Sequence, residues 1–348
     1  MKIALALVAL GGMALAGGKM LIWGDHSVGY GSYVPWGLWV AAYGFLVTLS
    51  AGLALAANMY YAFGRENYRS SARSALLLAI ISLITALPII GMDLGHPLRG
   101  ITVLIMPNFK AFLPWAVWSY VIFLIISFLL LKKDTSGGDT RLLGKLSLLM
   151  AGLFVIFEAL HFSTVIAHPV WNSALTIPLF FATAVVLGYC MLALLNERNG
   201  EFVRTMLIAH LLIVDLMEIG KVVVEWYSST PAMAASAGGV LASPMFWVFI
   251  GLGVVVPFAL LLNGTPSSAT IRIAAASILI GLFAAKYEFV TGAFALAQFA
   301  ELPSAFSGPG LTTHYVPTLL EVGVMIGFIA AGAFAFLWSV QIPKQQSE

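Results

Sequence analysis

The chain has 348 residues, 61% of them hydrophobic and only 9% charged, with a net charge of +2. Soluble domains carry about 25% charged residues, so this composition excludes a soluble globular protein, and the near-neutral balance excludes a nucleic-acid partner recruited by charge. The single cysteine, Cys190, excludes an intrachain disulfide, a cysteine-ligated iron–sulfur cluster and a covalently attached c-type haem in this chain.

A membrane helix needs about 20 mostly apolar residues. Ten segments meet that length: 3–23, 34–62, 74–94, 112–131, 143–166, 172–195, 204–227, 244–263, 271–294 and 318–340. The expected fold is therefore an all-α, ten-span polytopic membrane domain covering 1–348. In the first segment, Lys2, an apolar run and Ala14-Leu15-Ala16 also resemble a signal peptide with its cleavage site, as the alternative to a retained helix. Arg65, Arg69, Arg73, Lys132, Lys133, Arg141, Lys145, Arg198, Arg204 and Arg272 fall in one set of loops, with Lys2 and Lys344 on the same side. The positive-inside rule then places both termini in the cytoplasm and the chain in the cytoplasmic membrane.

The seventh segment carries an unusual load. Into LLIVDLMEIGKVVVEW (211–226) are set Asp215, Glu218, Lys221 and Glu225, with His210 just before. At 100° per residue from Glu218, Asp215 lies at about +60°, Lys221 at about −60°, Glu225 at about −20° and His210 at about −80°. These five share one face, which must look at other helices, water or a ligand rather than lipid. Glu158 and His161 repeat the habit on the fifth segment, with His168 beyond them. Lys286 and Glu288 stand on the ninth segment and Glu321 on the tenth. Lys221–Glu218 and Lys286–Glu321 ion pairs that only specify packing are one reading. A proton path of Glu158, His161, His210, Asp215, Glu218, Lys221 and Glu225 is the other.

The opposite ends of the helices gather a second set: His26, Trp36 and Tyr43, then Asp93 and His96, with His314 and Tyr315 late in the chain. Aromatic belts and the helix dipole account for such residues individually. Together they suit a quinone, whose flat polar ring needs an aromatic slot and donors near its two oxygens.

The runs YVPWGLWVAAYGFLVTLSAGLALAAN (33–58), DLGHPLR (93–99), AAKYEFVTGA (284–293) and HYVPTLLEVGV (314–324) resemble the NrfD-like family. Its members are the membrane subunits of polysulfide reductase and related complexes, including ten-span hydrogenase membrane subunits and alternative complex III. The resemblance implies two four-helix bundles, here 34–168 and 172–294, flanked by further helices. It implies a quinone-reacting subunit (menaquinone or ubiquinone) with no haem or iron–sulfur cluster of its own. The implied partners are a ferredoxin-like four-iron iron–sulfur subunit, docked here on loops 95–111 and 228–243, and a molybdopterin or other catalytic subunit. Trp36, Tyr43, Asp93, His96 and His26 would border the quinone. In polysulfide reductase one helix presents an Asn and a His to quinone; at the matching places Val40 and Tyr43 stand here. Two other readings remain: a haem b cytochrome using His96, His161 or His168, and a secondary transporter, whose broken helices and repeats find no clear match.

Overall fold

The computed structural model describes residues 1–195, 200–295, 306, 308, 311 and 315–340; Arg198, His314 and Lys344 lie outside the described residues. Among the described residues all regular structure is helical. The elements are α1 (Lys2–Gly18), α2 (Leu38–Phe63), α3 (Arg69–Asp93), α4 (Phe112–Thr135), α5 (Arg141–Ser163), α6 (Thr176–Leu195), α7 (Gly200–Trp226), the short α8 (Pro231–Ala242), α9 (Pro244–Leu262), α10 (Ser268–Thr291) and α11 (Leu319–Ser339). Nine of them meet the length and hydropathy of a membrane span among the described residues. The long exception is α7, in which every 18-residue window holds at least three of Asp, Glu, Lys and Arg. It is nonetheless 27 residues long, about 40 Å at 1.5 Å per residue. Leu212, Ile213, Leu216, Val223 and Val224 on its outer face are exposed while Asp215, Lys221 and Glu225 are buried, so α7 turns its apolar side outward.

The second segment begins later than the sequence suggests. Residues 34–37, with Pro35 and Gly37, stay outside the helix, which starts at Leu38. Within α9, Phe249–Val255 is a π-helical stretch. Gly253 there packs on the backbone of Gly281, and Ser277 donates to the Leu252 carbonyl at 2.6 Å, meeting a group the wider turn leaves free.

α2 is the hub. Its apolar window is 89% buried, against 22% for α11, and it packs on α3, α5, α6, α10 and α11. α2 packs on α3 and α5 and α4 on α5, a first group; α7 and α10 pack on α6 and α9 on α10, a second; α2 also packs closely on α6, so the two are continuous, and α1 lies along α11. The two groups meet where Gly52 and Gly188 interlock. A Cβ on Gly52 would overlap the Ala184 carbonyl, and one on Gly188 the Gly52 carbonyl. Backbone cannot yield as a flexible side chain does, so Gly52→Val should cost at least about 1–3 kcal/mol. Thermal unfolding in detergent should show a clearly lower midpoint, and an unchanged midpoint would mean that this crossing is loose.

The basic loops converge at one end. Arg73 donates to Asp134 at 2.9 Å and to Thr135 at 3.1 Å. Arg204 reaches Glu201 and the carbonyls of Leu261 and Gly264. This basic end and the opposite end are the two reference points for depth.

Candidate functional site

Near the opposite end, α2, α4 and α5 each send one polar side chain into the first group. Tyr43 and Tyr120 place their hydroxyls 2.8 Å apart. Both donate to the same oxygen of Glu158, Tyr120 at 2.8 Å and Tyr43 at 3.3 Å. Glu158 is 2% exposed, so this carboxyl has no bulk water to fall back on. Three oxygen–oxygen contacts share two hydroxyl hydrogens when Glu158 is ionised and three hydrogens when it is protonated. The array can therefore take up a proton with no movement of heavy atoms, as a proton-exchanging group requires.

One turn beyond Glu158 on α5, the half-buried His161 ring lies 6.3 Å from Trp36. Trp36 stacks on Trp171 at 5.3 Å and meets Phe162 and Phe294 edge-on. Such offset and edge contacts add about 0.5–1.5 kcal/mol each beyond area burial, making a stiff aromatic wall. The α5–α6 loop is pinned beneath it: the Trp171 indole N–H donates to the Phe289 carbonyl, and His168 Nδ1 lies 2.9 Å from the Ala293 carbonyl. Burial holds the His168 imidazole below its usual range, partly offset by that bond. The unfolded residue then binds more protons than the folded one below pH about 6.5, so stability should be intact above that pH and fall as the pH drops through it. Unfolding scans between about pH 7.5 and pH 5.5 should show the fall, and His168→Gln should flatten it.

The second group holds its own site. Glu218, Lys221, Glu225 and Glu288 line a narrow cavity between α7, α9 and α10, walled by Phe246, Phe249 and Phe289. The Lys221 ammonium donates to the Val170 carbonyl, lies 5.1 Å from the Phe289 ring centroid, and forms no ion pair with Glu218 among the described residues. Ser243, at the α8–α9 corner, donates to Glu288. Asp215 is buried with neither carboxylate oxygen partnered among the described residues. His210 is separated from the others: its Nδ1 engages the Met206 carbonyl and its ring lies 5.3 Å from Tyr189, inside an apolar groove toward the basic end. The five residues of one helical face thus divide among three environments.

Lys286 sits between the groups. It is 7% exposed, and its ammonium is 3.3 Å from the Phe180 ring centroid. It shares a small cavity with Glu218, Thr183 and Phe289. Glu321 is not its partner. That carboxylate accepts from Gly29 N–H at 2.8 Å, Thr318 N–H at 2.9 Å and the Tyr315 hydroxyl, and closes a capping box at the start of α11. Its burial is explained by the segment it ties down.

The other sequence candidates form a separate cluster. Asp93 lies in the electrostatic neighbourhood of Lys19, Asp25 and Glu321, and its Oδ1 is buried without a partner among the described residues. Lys19 donates to the Met92 carbonyl at 2.9 Å and pairs with Asp25 at 2.8 Å. His96 and His26 are exposed. Trp36 and Tyr43 are thus brought together with Glu158 and His161, whereas Asp93 is placed beside Lys19. Sequence reading missed Tyr120, Trp171 and Ser243. Tyr120 sits in WSYVIF, which looks like an interfacial aromatic belt; Ser127, seven residues on and also buried, marks the same inward face.

Comparison with known proteins agrees with this architecture. The model of the family described as polysulphide reductase, NrfD, matches residues 27–297. The chain is 24% identical to a selenate reductase subunit of Mesobacillus selenatarsenatis, over 89% of this chain and 86% of that protein. It is 24% identical to the "Hdr-like menaquinol oxidoreductase integral membrane subunit" of Archaeoglobus fulgidus, over 91% and 87%. The fold is similar to that of bd oxidase from Geobacillus thermodenitrificans, with a TM-score of 0.53 at 12% identity over 87% of this chain and 94% of that one. A family match over so much of the chain, on a helical membrane domain of this length, establishes that the protein belongs to the NrfD polysulphide reductase family.

Proposed function

We propose that this chain is the quinone-reacting membrane subunit of a multi-subunit oxidoreductase, with the quinone head group against Trp36 and His161 and its proton acceptor at Tyr43, Tyr120 and Glu158. The observation that carries the reading is the buried three-oxygen array one helical turn from the partly exposed His161, which faces the partly exposed Trp36 at the edge of a buried aromatic cluster. Quinol oxidation releases two electrons and two protons. Glu158 accepts one proton through the tyrosine hydroxyls, the other passes to outer water at the partly exposed His161 edge, and the two electrons leave to a partner that carries clusters; in the reverse direction two protons and two electrons return. Menaquinol in the name of one relative supports the quinone assignment. The two contact groups then serve as two four-helix bundles, one for quinone and one for proton exit past Glu218, Lys221, Glu225 and Glu288.

The partner we infer is an extracytoplasmic iron–sulfur protein with a further catalytic subunit behind it, with both termini on the cytoplasmic side. Leu98, Ile101, Ile105 and Met106 in the α3–α4 loop are 89%, 59%, 68% and 78% exposed. Such apolar exposure at the end nearest the proposed quinone suits a docked protein.

The test is turnover of the native complex with a short-chain quinol and an artificial acceptor. Trp36→Leu should raise KM about tenfold while leaving the complex assembled, the expected cost of losing a ring-stacking wall. An unchanged KM removes Trp36 from the binding surface. The unpartnered oxygen of Asp93 favours a second reading, with the head group beside Lys19. A tenfold loss in Asp93→Asn, with Glu158→Gln neutral, would move the site there.

A further inference from the structure

The buried lysines differ in how their charges are met. Lys19 has an aspartate and a carbonyl, and Lys221 has a carbonyl. Lys286 has a ring face and, among the described residues, neither an ion pair nor a hydrogen-bond acceptor. An ammonium offers three donors, and leaving them unmet in a buried place is expensive. The space beside it, lined also by Thr183 and Glu218, has room for about one water, which would meet part of that demand.

Two carboxylates reach Lys286 electrostatically, Glu218 from α7 and Glu158 from α5. The lysine stem crosses α2 at Gly44, where a Cβ would lie 3.7 Å from Cδ. Gly44 follows Tyr43, whose hydroxyl binds Glu158. One positive charge therefore stands between an acid of the first group and an acid of the second. It balances one ionised carboxylate, not two; a second uncompensated charge in such surroundings is strongly disfavoured.

We propose that Lys286 is the shared counter-ion of Glu158 and Glu218, and that a proton crosses between the two helix groups by exchanging which of these carboxyls is ionised. This rests on the quinone reading above. The O–H bond of protonated Glu158 breaks toward a bridging water, and that water delivers one of its own protons to the Glu218 carboxylate. Lys286 stays protonated and the net charge is unchanged. Water bridges transmit such transfers where direct hydrogen bonds are absent. The other groups facing this point are Tyr43, Tyr120 and His161 on the first side, and Asp215, Lys221, Glu225 and Glu288 on the second. α6 contributes Leu179, Phe180 and Thr183, none of them charged, and α9 carries no charged residue. From Glu218 the cavity with Glu225 and Glu288 continues the route.

The experiment uses the whole complex in proteoliposomes, with quinol turnover, its pH profile and proton release recorded together. Lys286→Met should lower turnover at least tenfold and shift the pH profile, and Lys286→Arg should restore most of both. Lys286→Met with Glu218→Gln removes one charge of each sign, so it should assemble even if the single variant does not. In it electron transfer should persist while proton release through the second group is lost. Wild-type turnover, pH profile and proton count in Lys286→Met would overturn the shared counter-ion and leave the quinone assignment standing. A native complex that binds and oxidises no quinol would overturn both.

Discussion

Glu158→Gln should lower quinol turnover of the assembled complex about 100-fold, a barrier increase of about 2.7 kcal/mol, within the range for loss of a general base. The amide keeps the volume and still accepts from the tyrosines, so folding should be spared. What disappears is the ability to hold the proton that the quinol gives up. The amide NH2 also points a donor at hydroxyls that previously shared their hydrogens with a carboxylate. Tyr120→Phe removes the 2.8 Å donor and should give a smaller loss, about tenfold, with Glu158 still present. Steady-state turnover with the binding of a quinol analogue measured separately decides the matter. Full activity in Glu158→Gln would make the tyrosine–glutamate array a packing device.

Trp171→Ala should have the largest effect on stability. This side chain is 1% exposed, stacks on Trp36, meets Phe162 and Phe294 edge-on, and donates its indole N–H to Phe289. Truncation should cost about 3–5 kcal/mol through the cavity it leaves, enough to cut the yield of folded protein severely. Trp171→Phe keeps most of the packing and loses the bond, for about 1 kcal/mol. Yield and thermal midpoint of the two variants in detergent make the comparison. Equal behaviour of Ala and Phe would show that the wall collapses without penalty.

The spans were legible because membrane crossing imposes one strong rule, a run of about 20 apolar residues. All ten sequence segments correspond to helices, with ends displaced by a few residues where Pro35, Gly37 or a π turn intervenes. The inward face of α7 was also legible, since an apolar helix with charges on one arc can bury only that arc. What those charges meet was not. The two ion pairs the sequence suggests, Lys221–Glu218 and Lys286–Glu321, are replaced by a lysine bound to a loop carbonyl and a glutamate absorbed in a helix cap. Such partners are set by tertiary contacts that helical periodicity does not encode. Shared depth and the PWG and DLGHP motifs group Asp93 with Tyr43 in the sequence; neither says which side of α2 a neighbouring residue faces.

The pairing of α1 with α11 brings the first and last spans into contact at Gly12 and Gly327, close enough that a Cβ on either would strike the other backbone. About 300 residues separate them, so at a synthesis rate of about 5–20 residues per second α1 waits on the order of 15–60 s for its neighbour. During that interval its glycine face is covered only by lipid or by the insertion machinery. A ribosome stalled just before α11 should therefore leave α1 accessible to crosslinkers while α2 to α5 are already protected.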